Sequence, residues 1–100
     1  MERRLSAILA TDVCNFSMMM SKDEDKTIEI LHSCNAIIEG AISSHNGHVF
    51  NTAGDSIVAE FTSVVDAVNC AVNFQRTLQD RNNAMPETAR MQYRVGINLG

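Results

Sequence analysis

The chain has no tryptophan, one tyrosine (Tyr93), one proline (Pro86) and three cysteines among its 100 residues. Each shortage argues against something. Cys14, Cys34 and Cys70 are odd in number, far apart and never in a C-x-x-C pair. They suggest neither a disulfide framework nor a zinc cluster, and they fit a reduced, cytoplasmic setting. Cys34 and Cys70 read as small buried hydrophobes on helices. Positive charge is also scarce. Eight Lys and Arg stand against twelve Asp and Glu, a net charge of -4, and the longest basic run is Arg3-Arg4. Phosphate neutralisation along DNA or RNA needs clustered cations, so nucleic acid is not the expected partner. A nucleotide remains open, because a metal and backbone amides can hold one. No apolar run approaches a membrane span. The apolar stretch after "MERR" is soon broken by Thr11 and Asp12, and reads as a first strand rather than a signal peptide. His32, His45 and His48 show no ligand spacing, and no serine-based triad is evident.

What is present describes one modest globular domain, residues 1–100, with 45% hydrophobic and 20% charged residues. "RLSAILATDV" (residues 4–13) is apolar on both faces, as a central strand covered on both sides would be. "CNFSMMMSKDED" (residues 14–25) reads as a turn and a helix entry, with Ser21, Asp23, Glu24 and Asp25 as caps and first-turn acids. Met18-Met19-Met20 within it reads as flexible packing at a helix start or an interface. Ile28, Leu31, Cys34, Ile38, Ala41 and Ile42 then recur at helical spacing until Asn46-Gly47 stops the helix. "HVFNTAGDSIVAEF" (residues 48–61) gives a hairpin with strands at about 48–52 and 56–61, turning at Gly54. Residues 63–80 form the clearest helix, with Val64, Val68, Ala71, Val72, Phe74, Gln75 and Leu78 near one side. A loop over 81–90 and a strand in "MQYRVGINLG" (residues 91–100) close the chain.

The order β-α-β-β-α-β predicts an α+β, ferredoxin-like fold: a mainly antiparallel sheet with helices on one face. In that topology the first and third strands lie side by side. Asp12 ends the first and Asp55 begins the third, so two carboxylates should meet at one end of the sheet. Close carboxylates repel unless something positive sits between them. Mg²⁺ or Mn²⁺ is the usual remedy, because both take oxygen ligands and share them with substrate phosphates. The turn after Asp12 leads into a helix start whose N–H groups can cradle a triphosphate. Two metals there suit phosphoryl or nucleotidyl transfer. Taken singly, each aspartate also reads as an ordinary cap or turn residue.

The blocks "RRLSAILATDVCNFS", "GHVFNTAGDSIVAEF", "SVVDAVNCAVNFQR" and "RVGINLG" resemble, in order and spacing, the class III adenylate/guanylate cyclase catalytic domain of the bacterial type, from Arg3 to Gly100. The resemblance implies a lyase that converts a nucleoside triphosphate, ATP in preference to GTP, into a 3′,5′-cyclic nucleotide and pyrophosphate. It implies two Mg²⁺ or Mn²⁺ ions on Asp12, Asp55 and the backbone carbonyl of Val13. It makes Cys14, Asn15, Phe16 and Ser17 the triphosphate turn, with Asn15 where many members have glycine. It implies a homodimer with shared active sites.

Two departures stand out. Asn51 occupies the base-reading position, where adenylate cyclases usually carry lysine and guanylate cyclases glutamate; Asn both donates and accepts. The family's domain also continues past "GINLG" with a second base-reading residue, an Asn and an Arg for the transition state, and a dimerising arm. These 100 residues are therefore expected to be the N-terminal portion of a cyclase domain, truncated at its C-terminus. The alternative is a catalytically degenerate, cyclase-like domain that serves as a dimerisation, regulatory or nucleotide-binding module.

Overall fold

A computed structural model of the chain describes residues 6–99. The chain runs β1 (Ala7–Val13), α1 (Phe16–Lys22), α2 (Glu24–Ser44), β2 (His48–Ala53), β3 (Ser56–Phe61), α3 (Val64–Asn83), a 3₁₀ turn (Glu87–Ala89) and β4 (Tyr93–Leu99). The strands form one antiparallel sheet in the order β2-β3-β1-β4, which is the ferredoxin-like arrangement expected. Arg3, Arg4, Leu5 and Gly100, at the ends of the expected strands and of the resemblance, lie outside the described residues.

The helices cover one sheet face. Ala7, Leu9, Thr11 and Val13 of β1 and Ile57, Ala59 and Phe61 of β3 turn toward them and are buried. They meet Ile30, Leu31, Cys34, Ile38 and Ile42 of α2 and Ala67, Cys70, Phe74 and Leu78 of α3. The expectation that β1 is covered on both sides does not hold. Its alternate residues Ile8 and Asp12 are half-buried and Ala10 is exposed, because no layer lies over that face among the described residues. The apolar character of both faces reflects a central position in the sheet rather than a second layer.

Three local details differ from the expectation. Residues 16–22 form a separate short helix. Asp23 is extended (φ -161°) and its side chain accepts from Lys26 N–H, so it closes α1 and caps α2 at once. Ser21 caps nothing; inside α1 its hydroxyl donates to Met18 C=O at 2.8 Å. Helix α3 runs three residues beyond Asp80 because Asn82 is buried there and brackets Met91. Its Nδ2 donates to Met91 C=O at 2.9 Å and its Oδ1 accepts from Met91 N–H at 3.2 Å. Arg81 donates to Ala89 C=O at 3.0 Å and Gln75 to Tyr93 C=O at 3.1 Å, so α3 fixes where β4 begins. Finally, Val64, Val68 and Val72 are exposed, since α3 packs through the adjacent arc of Ala67, Cys70 and Phe74. Ile28 of α2 is likewise at the surface.

The end of α2 shows a glycine set by close approach. Gly47 N–H reaches back to Ile42 C=O at 2.8 Å. A Cβ on Gly47 would lie 2.5 Å from the Phe61 ring, so any side chain there displaces a core aromatic.

Candidate active site at the end of β1

The pairing register builds the site. On the open face Asp12 of β1 stands beside Arg94 of β4, its Cα partner. On the other side of β1, Thr11 pairs with Ile57, which carries the start of β3 and the Gly54-Asp55 corner to the same end. The β2–β3 loop has two residues, with Ala53 paired to Ser56. Its positive φ falls on Gly54 (58°), the first central position, where a type II′ turn calls for glycine. The tight turn presents Asp55 to β1: Asp55 Oδ2 accepts from Val13 N–H at 3.0 Å. A carboxylate held by a backbone donor is fixed in place before any ligand arrives.

Asp12 has a different partner. Arg94 Nε donates to Asp12 Oδ1 at 2.8 Å and Arg94 Nη2 to Asp12 Oδ2 at 3.2 Å, a fork on both oxygens. The pair is open to solvent, with side-chain exposures of 70% for Arg94 and 44% for Asp12. The hydrogen bond and charge of Asp12 hold the guanidinium proton more firmly than usual, and the nearby charge of Asp55 adds to this. Asp12 and Arg94 line a shallow cavity of about 370 Å³, floored by Ala10, Val58 and Gly96, and Ser56, the residue after Asp55, borders it. The small floor leaves room above the sheet.

Beyond Val13 the chain turns sharply. Cys14 N–H donates to Gln92 C=O at 2.8 Å, extending the β1–β4 pairing by one bond. Asn15 then takes the left-handed conformation (φ 59°, ψ 31°), which asparagine tolerates better than most residues. The first helical bond of α1 runs from Met19 N–H to Asn15 C=O at 3.1 Å, so the N–H groups of residues 16–18 precede the intrahelical ladder. Ser17 is exposed; Phe16 is half-buried against the core and anchors the turn.

The structure therefore brings together Asp12, Val13, Asp55 and residues 14–17. Asn51 stands apart. It lies on β2, exposed, paired with Val58 after a bulge that skips Phe50. It shares the open face with Asp12 but is two strands away, about 10 Å across the sheet. Arg94 is the residue that sequence reasoning missed. The available signal was its place as the one charge in "YRVGINL", on the alternate set opposite Tyr93 and Val95.

The donor set suits a hard cation. It contains carboxylate and carbonyl oxygens only, and no group of three or more His, Cys, Asp or Glu side chains that could hold a metal occurs among the described residues. Two carboxylates without a third suit an ion that completes its shell with water and phosphate oxygens, as Mg²⁺ does.

Comparison with known proteins agrees with the fold. No protein-family model matches the chain. Over 99 residues, 98% of the chain, it is 39% identical to the protein named "Putative adenylate cyclase 3" of Rhizobium meliloti (strain 1021). It superposes with a TM-score of 0.87 and 36% identity on the adenylate/guanylate cyclase/hydrolase from Silicibacter pomeroyi, covering 99% of this chain. A bacterial light-regulated adenylyl cyclase has the same fold, with a TM-score of 0.88 at 20% identity. Over nearly its whole length the chain is similar to class III adenylate/guanylate cyclase domains. It spans 17% of the length of the Rhizobium relative and 58% of the Silicibacter chain.

Proposed function

We propose that this chain supplies the cation- and polyphosphate-holding part of a nucleotidyl cyclase that converts a nucleoside triphosphate into a 3′,5′-cyclic nucleotide and pyrophosphate. The observation that carries the reading is the meeting of Asp12, Asp55 and Arg94 at one end of β1. Asp12 and Asp55, with the Val13 carbonyl, would hold two Mg²⁺ or Mn²⁺ ions. Bound there, such ions supply charge neutralisation on the triphosphate and acidify the 3′-hydroxyl. The chain's own groups do the rest of the holding. The turn at residues 14–17 offers backbone N–H groups to phosphate oxygens. Arg94 offers a planar fork of donors, the geometry that matches phosphate. The 3′-hydroxyl gives its proton to solvent, and its oxygen bonds to the α-phosphorus while the bond to the pyrophosphate leaving group breaks.

ATP is the favoured substrate on the name of the 39% identical relative. The reading also takes the active site to be completed by a second subunit, whose cleft would receive the exposed Asn51. Among the described residues no helix is long and apolar enough to cross a membrane. The test is product formation: the full-length protein incubated with Mn²⁺ and ATP, or with Mn²⁺ and GTP, and scored for cyclic nucleotide. Cyclic AMP above cyclic GMP is the expected result; a folded protein that makes neither overturns the reading.

One observation favours a second reading. Asn51 is neutral and exposed on a bulged edge strand, and a neutral residue at the base-reading position suits a domain that binds nucleotide or a partner without turnover. In that case Mn²⁺-dependent nucleotide binding persists while no product appears.

A further inference from the structure

The two carboxylates differ in a way the proposed reaction does not require. Asp55 is engaged through Oδ2 alone, by a backbone N–H that holds it in place. Asp12 has both oxygens occupied by Arg94, and among the described residues the hydrogen bonds of Arg94 go only to Asp12. A guanidinium against both oxygens takes one lone pair from each and covers the edge by which a cation would bind both, and its positive charge repels a cation. Both side chains are largely exposed, however, and exposed ion pairs are held weakly. Asp55 is thus presented to a cation outright, whereas Asp12 is guarded by a partner that leaves easily.

We infer that Arg94 is a displaceable counterion that couples cation binding to polyphosphate binding. Arg94 occupies Asp12 in the empty site, releases it as Asp12 turns to a cation, and only then presents its fork to an anionic oxygen of the nucleotide. The inference rests on the functional reading above and adds an order to it. In the empty site the Nε–Nη2 fork of Arg94 is engaged by Asp12, whose negative charge also opposes a phosphate, and Asp12 is in turn weakened as a metal ligand by the Arg94 charge. Each ligand removes the obstacle to the other, and such coupling is reciprocal by linkage. The charges around the pair agree. The other carboxylate near Arg94 is Asp55, whose Oδ2 is already hydrogen-bonded to Val13 N–H, so a released guanidinium does not gain a second ready fork.

The coupling can be read without metal and without turnover. Inorganic tripolyphosphate is titrated, in the presence of a chelator, into the wild-type chain and into Asp12→Asn and Asp55→Asn. Each of the three is also made with Arg94→Gln. Both aspartate variants lose one negative charge near the anion, so both gain affinity from electrostatics alone. Only Asp12→Asn also frees Arg94. The expected result is that Asp12→Asn binds tripolyphosphate about two- to fivefold more tightly than Asp55→Asn, the range that an exposed pair allows. With Arg94→Gln in place, that difference disappears. Circular dichroism establishes that each variant is folded. Equal gains in the two aspartate variants overturn the inference. So does a difference that survives Arg94→Gln, or an absence of binding in every protein. Mn²⁺·ATP binding to the wild type is measured alongside. If it is present while the tripolyphosphate cycle shows no Arg94-dependent difference, the coupling fails and the functional reading stands; if it is absent, the functional reading itself fails.

Discussion

The two flanks of the sheet are built differently. On one side β4 pairs with β1 through seven consecutive positions, from Ala7 with Leu99 to Val13 with Tyr93, and three side chains of α3 fix its start. On the other side β2 pairs with β3 through five positions, and a bulge at Phe50 interrupts the ladder. Five of the six residues of β2 are exposed, so little packing restrains their identity. Arg94 belongs to the first flank and Asn51 to the second. The difference separates two tasks. Arg94, which meets Asp12 at fixed distances, sits where strand register and helix anchoring determine it, and Asp55 is placed instead by the tight β2–β3 turn. Asn51, at the proposed base-reading position, sits on a bulged edge, where the side chain can change without disturbing the core.

Substitutions can break or sharpen that contrast, and the largest effect should come from Asp55→Ala. It removes a proposed cation ligand and the acceptor on Val13 N–H together. The account expects Mn²⁺·ATP affinity to fall at least about 100-fold, and unfolding stability in urea to drop by about 2 kcal/mol for the lost charge-assisted bond. Asp55→Asn keeps an acceptor and should recover most of the stability but not the affinity. Gly54→Ala comes next. The open space around Gly54 leaves only its positive φ to resist a Cβ, so the cost should be about 1–2 kcal/mol, with the carboxylate displaced as well. Thr11→Val acts on the covered face of β1, where Thr11 Oγ1 is buried without a hydrogen-bond partner among the described residues. Removing the stranded hydroxyl should raise stability by about 1 kcal/mol, readable as a higher urea midpoint. Asn51→Ala, on the bulged edge, should change stability by less than about 0.5 kcal/mol. A large loss there would show that the edge is built as firmly as the β4 flank and would remove the contrast.

A pH titration separates the core from the site. The buried Cys70 thiol is pushed up to about 11 from 9.0, and burial also raises Cys34. Burial likewise raises Tyr93, whose hydroxyl donates to Asn35 Oδ1 at 2.7 Å. These groups ionise more readily in the unfolded chain. Their contribution is complete below pH 9 and should fade as the pH climbs from 9 toward 11. Urea midpoints measured across that window should fall steadily.

Much of the site was legible in the sequence because its logic is topological. Once the order β-α-β-β-α-β is accepted, Asp12 and Asp55 must approach each other, whatever the side-chain details. Asn15 was legible too, since the turn needed a residue that tolerates positive φ. Arg94 was not. Its partner is 82 positions away, and the pairing depends on the β1–β4 register, a long-range property that no local pattern states. The valines of α3 misled for a related reason. Periodicity marks an apolar arc on a helix, but the flank that packs depends on where its neighbours lie. Val64, Val68 and Val72 belong to the arc and Ala67, Cys70 and Phe74 to the contact. The short helix α1 is hidden in the sequence because Asp23 ends one helix and caps the next, so the acids around it mark only the start of α2.

The most direct test of the carboxylate site is a calorimetric titration of Mn²⁺·ATP into the wild-type chain and into its Asp12→Asn/Asp55→Asn double variant. The account predicts saturable binding by the wild type and none by the folded variant. Equal binding by both would mean that the nucleotide is held elsewhere, and that the end of β1 is only a turn beside an ion pair.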